Sequence, residues 1–235
     1  MKKIKPILKT TAEKYHICKW IIDHFPKDYE EHEYIEPFFS DSSVFLNKNN
    51  SKLEVINAKT NIANIFRSIR DEHKEFTSRL KRRKYSHIVF ERATKQTEFE
   101  DYLDSSTNEF ISVNMSKGGT KKNFLGDGKE KNWENFIDSI DKTYDRMKDV
   151  FILETDANDV LQAFNKSNTL CFINLESYGD LTEEEHIEIF SNIKNFKGKI
   201  IVSHKTCPLY KKLYKNWKRH EKKLSNGNES IWVNY

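Results

Sequence analysis

The run "TLCFINL", residues 169 to 175, is apolar at nearly every position and shows no polar–apolar alternation. A strand with one wet face alternates. A strand without alternation is buried on both faces, as at the centre of a parallel sheet covered by helices. The flanking segments read as the partners that such a strand needs. Before it come "VFILET", a strand, and "DANDVLQAF", a helix opened by Asp156, a residue type that caps helix starts. After it, Thr182 opens "TEEEHIEIFSNI", with Glu185 three residues on as in a capping box. "KIIVSH" reads as a strand and "PLYKKLYKNW" as a short helix with Pro208 near its first turn. "KRHEKKLSNGNESIWVNY" reads as two strands around Asn226-Gly227, a hairpin signal.

The first 70 residues have a similar rhythm. Ile17, Trp20, Ile21 and Phe25 predict a helix over Glu13 to Phe25, ended by Pro26. Tyr34-Ile35-Glu36 and "SKLEVIN", residues 51 to 57, predict strands. The turn inside "YIEPFFSDSSVFLNK", residues 34 to 48, reads as the opening of a helix between them. "NIANIFRSIRD" follows with Ile62, Ile65, Phe66 and Ile69 at helical spacing. Parallel strands with crossover helices are the expected result.

Between the two α/β stretches the pattern changes. Residues 72 to 113 are helical and polar, with the basic run "RLKRRKYS" at 79 to 86. Residues 116 to 131 form a lysine-rich loop holding four of the seven glycines. In 133 to 150, Phe136, Ile137, Ile140, Tyr144 and Met147 share a helical face. The chain therefore divides into an α/β domain, 1 to 71 with 150 to 235, and a helical basic insertion, 72 to 149.

Composition narrows the function. Lys and Arg outnumber Asp and Glu by 40 to 36, an excess too small to argue for a polyanionic partner unless the charge is concentrated. Cys18, Cys171 and Cys207 have no disulfide-framework spacing and no signal peptide ahead of them, which fits reduced thiols in a cytoplasmic protein. No apolar run approaches a bilayer span, so no membrane helix is expected. The eight histidines and three cysteines lack metal-ligand spacing, and "SKGGTKK" lacks P-loop spacing.

The order of these segments resembles the Dam-like, alpha-class DNA adenine methyltransferases over nearly the whole chain. "KTTAEKYHICKWIIDHFP" stands where that family has a Trp-Gly-Gly-Lys turn and helix. "YIEPFFSDSSVFLNK" stands at its E-P-F-x-G-G-G-x-V-F, "LEVINAKTNIANIFRSIRD" at its I-N-D-x-N strand end, and "FINLESY" at its D-P-P-Y. "ETDANDVLQAF" matches a segment that approaches the target adenine, and "SIWVNY" the usual ending. The resemblance implies a Rossmann-like S-adenosylmethionine methyltransferase sheet with a helical target-recognition insertion. It implies cofactor contacts from Lys14, Glu36, Phe38 and Asp156, and catalytic positions at Glu176 and Tyr178.

The motifs are eroded at the positions the chemistry needs. Methyl transfer requires a cofactor held against main chain, hence glycine, and a carboxylate on its ribose. It also requires an extruded adenine with an acceptor for its amine protons. Here Ala12 and Glu13 replace the first two glycines, and Ser40, Asp41, Ser42 and Ser43 fill the glycine turn. Ala58 stands for the ribose carboxylate. Both prolines of D-P-P-Y are missing. Alignment on Tyr178 puts Leu175, Glu176 and Ser177 over D-P-P, and one deletion puts Glu176 over the Asp. The expectation is a pseudoenzyme that does not hold S-adenosylmethionine tightly and acts by binding double-stranded DNA or a protein partner, for example an active methyltransferase subunit. The alternative is an active adenine-N6 methyltransferase with divergent motifs, and a third reading is a protein-binding module without a DNA role.

By local pattern alone several of these residues read otherwise. Asp156 is an ordinary helix cap by local pattern, Lys14 a solvated lysine, and Tyr178 a loop-edge aromatic. Arg79, Lys81, Arg82 and Arg83 form either a solvated helix face or a phosphate-binding surface. Lys117, Lys121 and Lys122 lie in a loop that follows a DNA backbone or is simply mobile.

Overall fold

The computed structural model describes residues 3 to 10, 13 to 225 and 227 to 235. In chain order the elements are α1 (Cys18–Ile22), β1 (Glu33–Phe39), β2 (Leu53–Ala58), α2 (Thr60–Asp71), α3 (His73–Lys81), α4 (His87–Lys95), α5 (Tyr102–Asn114), α6 (Glu130–Asp138) and α7 (Ile140–Met147). Then follow β3 (Phe151–Leu153), α8 (Ala157–Ala163), β4 (Thr169–Asn174), α9 (Glu183–Ile193), β5 (Lys199–Lys205), α10 (Pro208–Leu213), β6 (Lys218–Leu224) and β7 (Gly227–Val233).

The fold is α/β. Seven strands form a mixed sheet in the order β3-β2-β1-β4-β5-β7-β6. β1 runs parallel to β2 and β4, and β4 parallel to β5, whereas β7 is antiparallel to both β5 and β6. The 3-2-1-4-5 portion is the order of a doubly wound sheet, in which the direction of winding switches between β1 and β4. β4, the unalternating run, sits at the centre and is buried throughout.

The chain divides into two compact units. One comprises residues 19–39, 48–58 and 153–235. Its apolar core packs Ile35, Val55, Cys171, Ile173, Ile200, Val202 and Trp232 of the sheet with Val160 and Leu161 of α8, Ile193 of α9 and Tyr210 of α10. On the alternate strand positions, Tyr34 and Phe172 meet Phe25, at ring separations of 5.9 and 6.4 Å. Apolar packing on both faces is why β4 carries no polar alternation. Thr182 and Glu185 close the capping box of α9.

The other unit comprises residues 1–18, 40–47 and 59–152. It holds α2 to α7, with a core around Phe76, Phe110 and Trp133, whose rings meet edge to face at 5.8 Å. The helix expected over 133 to 150 is broken between α6 and α7. Ser139 returns its hydroxyl to the Asn135 carbonyl at 2.8 Å, a back-bond that competes with regular helix geometry. The helix expected over 13 to 25 shrinks to α1. The helix expected after the 40–43 turn shrinks to one 3-10 turn, Phe45–Asn47, because the Asn47 amide takes the Ser43 carbonyl at 2.8 Å. Loop 116 to 131 is tied down: Ser116 bridges Phe124, and Leu125 N–H donates to the Met115 carbonyl at 2.7 Å. Gly119 sits at φ +73° with its backbone against the Lys9 carbonyl, where a Cβ would lie 2.3 Å away.

Candidate functional site

The turn Ser40-Asp41-Ser42-Ser43, within the helical unit, is buried at all four positions. Its geometry is set by the Asp41 carboxylate, which is 5% exposed. Oδ1 accepts the Ser43 N–H at 3.0 Å and also the Ser43 hydroxyl, and Oδ2 accepts the Lys14 N–H at 2.7 Å. Burial pushes the Asp41 carboxyl up from its ordinary value, and the three hydrogen bonds and the nearby Lys14 charge pull it back. Lys14 is itself buried, at 3% exposure, and so departs from the reading as a solvated lysine. Half-buried Glu13 is pushed up by burial and then by Asp41, against Lys5. Backbone N–H groups of this kind are what a glycine turn offers to an anionic or polar ligand. Here a side chain of the same chain takes two of them. Ala12 lies outside the described residues.

In the sheet unit, Phe38 at the carboxyl end of β1 and Tyr178 just after β4 come together, with Asp156, the cap of α8, near enough to act on Tyr178. The Phe38 and Tyr178 rings meet edge to face at 5.2 Å. Burial, and then the Asp156 charge, push the Tyr178 phenol up from its ordinary value. Asp156 also caps α8 by accepting the Asn158 N–H at 2.7 Å, as its local pattern suggested. Glu36 is buried and accepts the Tyr34 hydroxyl at 2.6 Å. Glu176 turns to the end of β5, where Oε1 accepts the Lys205 N–H at 3.1 Å and lies 4.0 Å from His204. Ala58 is buried at the end of β2 and presents no acceptor for a ribose.

One residue here went unremarked in the motif comparison. Asn57 is 1% exposed and acts as a clamp. Its amide donates to the carbonyls of Pro37 and Thr155 at 3.0 and 3.1 Å and accepts the Thr155 N–H at 3.0 Å. It ties the end of β1 to the segment after β3. Its position in "LEVINAKTN" was visible, but nothing in the local pattern distinguishes a clamping amide from a solvated one.

No family model matches the chain, and no curated protein matches it.

The basic residues of the helical unit are unequally placed. Arg79 donates to Glu75 and Asp101 at 3.0 Å and to Asp104 at 2.7 Å, so its guanidinium is held by three carboxylates of its own chain. Those hydrogen bonds raise its pKa further. Arg82 and Arg83 share with Arg79 a cleft of about 340 Å³, which Glu75, Glu100 and Asp104 also line. Lys81, Lys117 and Lys122 are exposed, and Lys121 pairs with Glu109 at 3.0 Å. Among the described residues no group of three His, Cys, Asp or Glu side chains is placed to hold a metal ion, and no helix is long and apolar enough to cross a membrane.

His186, near the start of α9, is expected to make stability depend on pH. His186 Nδ1 lies 3.1 Å from the Tyr210 hydroxyl, and burial followed by the His204 charge hold its pKa below the ordinary 6.5. A depressed folded-state value means that the neutral ring is favoured in the fold. The contribution is present above the unfolded pKa and is lost as pH falls through the folded value. Thermal unfolding midpoints are therefore expected to drop on acidification below about pH 6.5. His186→Phe should flatten that drop, and an unchanged pH profile in the variant would contradict the assignment.

Proposed function

We propose that this chain is a degenerate homologue of the adenine-N6 DNA methyltransferases that does not transfer methyl groups and uses the fold to bind DNA or a protein partner. The observation that carries the reading is the Asp41 carboxylate seated on the Lys14 and Ser43 N–H groups. A cofactor that needs those donors must displace a buried, triply bonded side chain. Each hydrogen bond lost to a charged partner costs about 1.5–3 kcal/mol. The residues present do not fit S-adenosylmethionine. The doubly wound strand order agrees with that ancestry.

The assembly of Phe38, Tyr178 and Asp156 favours the second reading, an active enzyme with Glu176 in the place of the catalytic aspartate. Glu176 is drawn instead to the Lys205 backbone, which weighs against it. Transfer of labelled methyl from S-adenosylmethionine to adenine-containing duplex separates the two. The expected result is incorporation no higher than in a blank without protein. Incorporation abolished by Glu176→Gln and by Tyr178→Ala would establish the active enzyme.

A further inference from the structure

We propose that the surface formed by α10 and β6 binds the phosphate backbone of a nucleic acid. Residues 194 to 223 hold eleven lysines and arginines against one carboxylate, Glu221. The whole chain holds 40 against 36, so everything outside this stretch is net acidic, at 29 against 35. The overall excess of +4 therefore conceals a concentrated patch.

The fold gathers that charge. Lys211 and Lys212 of α10, Lys215 beyond it, and Arg219 and Lys223 on the α10 side of β6 are all exposed, and Lys218 is exposed on the other side of the strand. β6 is the outermost strand at its end of the sheet. Glu221, between Arg219 and Lys223, accepts the Thr206 hydroxyl at 3.1 Å, which brings that face of β6 to the entry of α10. Lys211, Lys212, Lys215, Lys218 and Lys223 form no ion pair among the described residues. The nearby carboxylates are taken: Glu221 also accepts the Asn228 amide, and Glu229 accepts the Ser203 hydroxyl. This contrasts with Arg79, Arg82 and Arg83, which stand among carboxylates.

Lysines on an edge strand discourage strand addition, and that role accounts for part of β6. It does not account for three more lysines on α10 and the segment after it. The surface also lacks the apolar anchors that a membrane-inserting helix or a protein interface core uses. Leu209, Tyr210 and Leu213 of α10 pack inward, and none of the large exposed apolar side chains falls between 194 and 223. Cations without apolar anchors suit a uniformly charged polymer bound through counterion release. The inference rests on charge and burial and not on the methyltransferase reading, so methyl transfer, if found, would leave it standing.

Fluorescence anisotropy with a labelled duplex of random sequence, over a range of salt, tests it. Affinity is expected to fall steeply with salt. The quadruple variant Lys211→Gln, Lys212→Gln, Lys215→Gln, Lys223→Gln should weaken binding about tenfold or more at 0.1 M salt. It should also flatten the log–log salt slope by roughly 0.9 for each lysine that meets a phosphate. Arg82→Gln with Arg83→Gln should change affinity less than about twofold. The four lysines make no ion pair, so circular dichroism should report an unchanged fold. Should that variant nevertheless unfold, the salt slope of the unaltered chain still decides whether phosphates are bound. The proposal is overturned if the quadruple variant binds as tightly as the parent or if the Arg82/Arg83 variant carries the loss. It also fails if vesicles of anionic phospholipid or polyglutamate bind where the duplex does not.

Discussion

Replacing Asp41 with alanine is expected to lower the unfolding free energy by about 3–5 kcal/mol. The carboxylate holds the Lys14 N–H, the Ser43 N–H and the Ser43 hydroxyl inside a turn that water does not reach. Its removal leaves buried donors unsatisfied at about 1–3 kcal/mol each, less whatever relaxation recovers. Asp41→Asn is no rescue, because both carboxylate oxygens face an N–H and one would become an amide donor. The neighbouring Ser42 supplies the control. Its hydroxyl is buried without a hydrogen-bond partner among the described residues, so Ser42→Ala should be neutral or stabilising by up to about 1 kcal/mol. Urea titrations of the two variants read the contrast, and equal midpoints would show that Asp41 does not hold the turn.

Lys48→Met in the sheet unit should cost a similar amount, about 3–5 kcal/mol. The Lys48 ammonium is wholly buried, forms a short ion pair with Glu54, donates to the Asn49 carbonyl and Ser51 hydroxyl at 3.0 Å, and lies 4.1 Å from the centre of the Tyr34 ring. Removing the cation takes from the buried Glu54 carboxylate its ion pair, while the Ser51 N–H stays on it at 3.0 Å. Removing both charges avoids that penalty: Lys48→Met with Glu54→Leu should recover most of the loss, since a packed apolar pair of similar volume often equals a buried ion pair. A double variant no better than Lys48→Met alone would place the cost in packing rather than in the stranded charge.

Much of the sheet was legible because its signals are local and agree with one another. The unalternating "TLCFINL" specifies a doubly buried strand, Thr182 and Glu185 specify a helix start, and the hairpin shows in its flanking strands, although Asn226 of its turn lies outside the described residues. The misreadings have a common cause, in which a side-chain hydrogen bond to the backbone outweighs the apolar spacing. The apolar spacing of Ile17, Ile21 and Phe25 is real, but the Lys14 N–H is claimed by Asp41, and the segment before α1 does not continue the helix. Asn47 diverts the Ser43 carbonyl and ends the helix expected there after one turn. Lys48 reads as one more polar residue in "NKNNSK", and only the fold places Glu54 against it.

The candidate site was legible as a set of positions and not as contacts. The family resemblance pointed to Phe38, Tyr178 and Asp156, which the sheet unit gathers, and to the unusual turn at 40 to 43. It gave no sign that Asp41 would also take the Lys14 N–H, because hydrogen bonds between residues 27 positions apart leave no local pattern. The basic run at 79 to 86 drew notice because its charges are contiguous. Those of α10 and β6 are spread over two elements and become a patch only when the hairpin folds beside the helix.

Isothermal titration of the full chain with S-adenosylmethionine tests the central claim most directly, since on the proposed reading Asp41 occupies the amides that the cofactor would use. No saturable heat is expected at up to about 1 mM ligand, an affinity of roughly −4 kcal/mol or weaker. A dissociation constant in the micromolar range would contradict it.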